Sequence, residues 1–135
     1  MLDRLFYLPL LAAVCLSSCS AQPTPVCNAV EQLMATNEFY GAFIKGRIDS
    51  TGFVLSDDQE QLGPCTAGTI HGVPFSVTKN STEKSVRHIS FKFGQKSAEE
   101  FTILFISAAS NQSLHGVFTI VEGKPVIRKV YEGDF

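Results

Sequence analysis

Four cysteines, three histidines and a short acidic loop are the residues of this 135-residue chain whose types could support chemistry. His71, His88 and His115 show no H-E-x-x-H, H-x-H or Cys/His spacing, so no zinc site is legible in local sequence. Each reads as a strand-edge or loop histidine. No serine sits in a G-x-S-x-G turn, the strand-to-helix elbow that exposes a nucleophile. Asp57, Asp58 and Glu60 cluster, but their spacing is not that of a calcium loop with its central glycine. A glycine-rich phosphate loop is also missing. The sequence therefore predicts no catalytic residues, no metal and no cofactor, and the expected protein is not an enzyme.

Charge offers a different lead. Lys79, Lys84, Arg87, Lys92 and Lys96 stand against Glu83 alone, a net of +4 in a chain whose formal net charge is −2. At a membrane such a segment could meet lipid head groups or an acidic protein, so these five are the candidate partner surface; the plain alternative is a solvated strand face. Nucleic acid is excluded as a partner, because the chain lacks a dense cationic balance overall. A hydrophobic share of 44% excludes a disordered tail, and the length suits one domain.

That apolar share is unevenly spread. Asp3 and Arg4 are the only charges before Glu31, and Leu5 to Leu16 is an apolar run of twelve residues interrupted only by Pro9. As a helix the run would cover about 18 Å, short of the roughly 30 Å hydrocarbon core. A charged start, a short apolar stretch and then small residues is the layout of a secretory signal.

The close of that run, Leu16-Ser17-Ser18-Cys19, resembles the lipobox of bacterial lipoproteins. The resemblance implies cleavage before Cys19, residues 1–18 as signal peptide, and acylation of the Cys19 thiol. Several acyl chains hold a protein durably where one is marginal. Ser20, rather than Asp, favours the outer membrane facing the periplasm by similarity to enterobacterial sorting. A competing cut after Ala21 would give an ordinary secreted protein. With Cys15 in the leader and Cys19 acylated, Cys27 and Cys65 remain for one structural disulfide in an oxidising compartment. No C-x-x-C spacing marks them as a redox pair. The loop of 37 intervening residues would make that bridge worth about 3–4 kcal/mol on a chain-entropy account.

Residues 19–26 read as the lipidated terminus and a Pro-rich tether, and 27–135 as a single domain. Cys27 to Glu38 predicts one helix, with Val30, Leu33 and Met34 at helical spacing. Beyond Tyr40 the pattern becomes one of strands. Phe43 to Asp49 reads as the first, with Ile44 and Ile48 on one face and Gly46 as a bend. Phe53 to Leu55 precedes an acidic loop, Ser56 to Gly63. Further strands are expected at Gly68–His71, Phe75–Thr78, Arg87–Phe93, Glu100–Ser107, Leu114–Val121 and Pro125–Tyr131. Phe101 to Ile106 is apolar on both faces apart from Thr102 and should be central or covered. Glu122-Gly123-Lys124 is a hairpin signal.

The run Phe39 to Ile48, then Phe53-Val54-Leu55-Ser56-Asp57 and Cys65, resembles the opening of small exported bacterial OB-fold-like domains. Gly116 to Ile120 with Gly123 to Ile127 resembles their closing hairpin. The fold implied is mainly β, a small OB-like curved antiparallel barrel with one N-terminal helix. The alternative is an α+β cystatin-like helix on an antiparallel sheet. The expected function is a membrane-anchored envelope lipoprotein acting as a non-enzymatic binding module for an envelope protein or glycan. A secreted inhibitor or immunity-type protein is the alternative.

Overall fold

The structure is a computed structural model that describes residues 25–63, 65, 67–79 and 85–134. Cys19 and Lys84 lie outside the described residues, as does the expected signal peptide. The chain is mainly β, with two short α-helices and a π-helical turn leading into seven strands.

Helix α1 (Pro25–Met34) opens on a proline, whose fixed φ and missing N–H suit a first helical position. It buries Cys27, Ala29, Val30, Leu33 and Met34 along one side. The expected helix to Glu38 is broken at Thr36. Its hydroxyl donates to the Leu33 carbonyl (2.7 Å) and accepts from the Phe39 N–H (3.2 Å), capping a new turn, α2 (Asn37–Phe39).

The strand expected at Phe43–Asp49 is instead a π-helical turn, Tyr40–Ile44, followed by a tight turn. Helical spacing wins because Phe39, Ala42 and Phe43 can then all enter the core, each no more than 4% exposed. Gly46, at φ +74°, provides the left-handed exit, and Arg47 Nη1 donates to the carbonyls of Gly41 (3.2 Å) and Ala42 (3.0 Å).

The strands are β1 (Phe53–Ser56), β2 (Ala67–Ile70), β3 (Val73–Thr78), β4 (His88–Gln95), β5 (Glu100–Ser107), β6 (Gln112–Val121) and β7 (Lys124–Asp134). They form one curled sheet, a half-barrel, in the order β2-β3-β1-β4-β5-β6-β7. The mainly β, curved-sheet expectation is met. The ladder is antiparallel from β4 to β7 and between β2 and β3, but β1 runs parallel to both neighbours. That mixture follows from a β2–β3 hairpin folding back beside β1.

One face of the sheet is covered. On β5 burial alternates strictly, with Phe101, Ile103 and Phe105 at 2% exposure or less and Thr102, Leu104 and Ile106 half-buried. The inner residues meet the helical segment through a phenylalanine cluster: Phe39 lies 5.0 Å from Phe43, 5.2 Å from Phe105 and 5.8 Å from Phe53. β5 is an interior strand, paired with β4 and β6, with its inner face covered. Among the described residues no helix is long and apolar enough to cross a membrane.

Candidate functional site

The sheet's outer face is formed by the residues that alternate with the core. Register carries one row across four strands: Lys92 beside Leu104, Leu104 beside His115, and His115 beside Tyr131. The next row runs Gly94, Thr102, Val117 and Lys129. A bulge between Val117 and Phe118 leaves Arg128 as the extra residue on β7, where its Nε donates to the Thr119 hydroxyl (2.7 Å). Three cations, Lys92, Arg128 and Lys129, thus stand exposed around half-buried Leu104 and Val117.

The aromatic pair at the end of the first row is ordered. The His115 and Tyr131 rings stack at 4.5 Å with planes 7° apart, and Lys129 Nζ sits 5.1 Å from the Tyr131 ring centroid. Tyr131 remains 42% exposed. A cation over a tyrosine face, with further cations nearby, makes a surface suited to anionic groups and to flat rings. It carries no nucleophile activated by a base.

Of the five cations singled out in the sequence, the four among the described residues do not converge. Lys79 pairs with Glu60 (3.2 Å), both exposed. Arg87 donates through Nε to the Gly52 carbonyl (2.8 Å), tying the turn before β1 to the start of β4. The Asp49 carboxyl in that turn is held below its usual range, first by the Thr51 hydroxyl and then by the Thr51 N–H. Lys92 lies mid-strand and Lys96 beyond the end of β4. Arg87 and Lys96 are separated by the eight residues of β4, about 26 Å of strand. Lys92 alone of these joins the outer-face rows. Its companions His115, Arg128, Lys129 and Tyr131 could be suspected only from alternation in β6 and β7.

The histidines have three separate settings. His71 sits in the β2–β3 turn with Nε2 2.8 Å from the Met34 carbonyl and its ring 5.2 Å from Tyr40. His88 is 6% exposed, and its Nε2 has no hydrogen-bond partner among the described residues. Ser107 Oγ shares that condition, yet register gives Ser107 the inner face and His88 the outer, so they form no dyad.

The acidic loop is a structural device. Asp57, 5% exposed, accepts from the N–H groups of Gln61 (2.9 Å) and Leu62 (2.8 Å), and Ser56 donates to Asp58 (3.0 Å). A pocket of about 260 Å³ opens beside it, lined by Asp57, Glu60, Leu62, Val77, Thr78 and Lys79.

Cys27 on α1 and Cys65 after β1 lie at disulfide distance, their Cα atoms 5.8 Å apart. Glu31, one turn along the helix, has Oε1 3.8 Å from the Cys65 sulfur. No protein-family model matches the chain, and neither a curated protein nor a solved structure is detectably similar to it.

Proposed function

We propose that the chain is an exported bacterial envelope lipoprotein, held by an acylated Cys19 at the outer membrane and facing the periplasm. Its folded domain is a non-enzymatic binding module. The observation that carries this reading is Leu16-Ser17-Ser18-Cys19 at the close of a short apolar run. Two further features support it. Cys27 and Cys65 at disulfide distance suit an oxidising compartment. Gln22-Pro23-Thr24-Pro25, between Cys19 and the folded domain, has a composition that suits a short tether to the lipid.

The outer face of the sheet is the surface with which the module engages its partner, an envelope protein or glycan bearing carboxylates or phosphates. Lys92, Arg128 and Lys129 supply charge, Tyr131 and His115 supply flat contact area, and strands rather than loops hold them. Photo-crosslinking in intact cells tests this. A crosslinker at position 104 should give a discrete adduct, and one at Lys45, exposed on the helical side, should not. Equal labelling from both positions, or none from 104, would count against the assignment.

A further inference from the structure

We propose that the chain pairs with a second copy of itself through β2, the two strands running antiparallel about a two-fold axis so that one sheet continues across both molecules. The two edges of the sheet, β2 and β7, are built differently. β7 carries the devices that keep an edge from pairing. Pro125 has no N–H and its carbonyl is taken by Gln32, a bulge follows opposite Val117, and Arg128, Lys129 and Glu132 are exposed. β2 has none of these. It reads Ala67-Gly68-Thr69-Ile70, without charge or proline, its register with β3 is unbroken, and its first three residues are exposed.

Which backbone groups of β2 are open follows from the turn beside it. His71 and Gly72, at φ +52° and +74°, make a two-residue turn, so the flanking Ile70 and Val73 exchange both backbone hydrogen bonds. Pairs along an antiparallel ladder alternate, which makes Thr69 with Pro74 a pair that exchanges none. Pro74 fits that place. It has no N–H, and its carbonyl turns the other way, onto Gly52 beside β1. Gly68 then bonds with Phe75, and Ala67 with Ser76 does not. The N–H and carbonyl groups of Ala67 and Thr69 therefore face the open side, where none of the described residues bonds to them.

These groups are complementary to themselves. With Gly68 on the two-fold axis, Ala67 of each copy stands opposite the partner's Thr69, and every such pair exchanges both of its hydrogen bonds. The two glycines meet as the pair without hydrogen bonds, where backbones come closest, about 4.5 Å between Cα atoms. Neither has a side chain to obstruct the other. On the core side the Phe75 ring fills the space that a Cβ on Gly68 would need, 2.9 Å away, so the strand stays bare at the axis. No like charges meet along it.

The contrast between the edges also sets the form of the assembly. Joining β2 to β7 would be head-to-tail and would grow into a filament, and the guarded β7 prevents it. A closed pair through β2 is what remains. With four residues on each side the contact is small, so the pair exchanges with monomer rather than being permanent. It uses the backbone of β2 and depends on neither acylation nor the outer face.

Sedimentation of residues 19–135 carrying Cys19→Ser, from about 10 µM to about 1 mM, tests the proposal. The expected result is a monomer that becomes a dimer and nothing larger as concentration rises, with slowed hydrogen exchange at the Ala67 and Thr69 amides. Thr69→Pro removes an open N–H that the fold does not use, and Thr69→Lys sets charge against charge across the axis. Each should weaken dimerisation at least tenfold with the unfolding midpoint close to that of the unsubstituted chain, whereas Glu132→Ser on β7 should leave dimerisation unchanged. A monomer throughout, a growing polymer, or a dimer that survives Thr69→Lys overturns the proposal. So does exchange at the two amides that is the same at both ends of the concentration range.

Discussion

Gln32 and Pro125 join the helix to the last strand, the Gln32 side-chain amide donating to the Pro125 carbonyl across 3.1 Å. One half-turn later the Met34 carbonyl meets His71 Nε2 at 2.8 Å, just past the end of β2. β2 and β7 are the two edges of the sheet. Helix α1 therefore ties both edges of the half-barrel, and Ile70 and Pro125 line one pocket with it.

This arrangement depends on close approach at Gly116. A Cβ there would lie 3.0 Å from Leu33 on α1 and 2.9 Å from Phe118. Gly116→Val should destabilise the fold by about 1–3 kcal/mol, measured by urea unfolding. A wild-type midpoint would show that the helix is not seated against β6.

Phe39 links the helical turn to the sheet. It is fully buried and contacts Phe43, Phe53 and Phe105. Phe39→Ala should cost about 3–5 kcal/mol. A loss below about 1 kcal/mol would place Phe39 outside the core.

The β6–β7 turn holds Glu122 at φ +52° and Gly123 at φ +77°. Two positive φ values define the hairpin turn that favours Asn-Gly, and glutamate is strained in the first position. Glu122→Asn should stabilise the domain by about 0.5–1 kcal/mol, read as a raised Tm. A lowered Tm would mean the turn has another form.

How much of this was legible depends on range. The strand at Glu100 to Ser107 was readable as a short apolar run and the Glu122-Gly123 turn from its turn chemistry, both local properties, whereas the alternating burial of that strand was not, because Leu104 and Ile106 on its outer side are apolar too. Phe43 to Asp49 was misread because Ile44, Gly46 and Ile48 fit a two-residue period, while the burial of Phe39, Ala42 and Phe43 favours a helical one. Parallel pairing of β1 was invisible, since it depends on where a later hairpin returns. The outer-face cluster was visible only as Lys92. His115 and Tyr131 join it through register alone, across strands far apart in sequence.

Charge reversal on that face should separate binding from folding. Lys92 and Lys129 are exposed, so Lys92→Glu with Lys129→Glu should leave Tm within a few degrees of wild type. The crosslinked adduct from position 104 should fall at least tenfold. An unchanged adduct would remove the outer face from the interaction.

Intact mass and peptide mapping of the mature N terminus test the central claim most directly. The account predicts a chain that begins at Cys19 with acyl mass on that residue, and with Cys27 and Cys65 joined. An unmodified Cys19, or a chain beginning at Gln22, would contradict it.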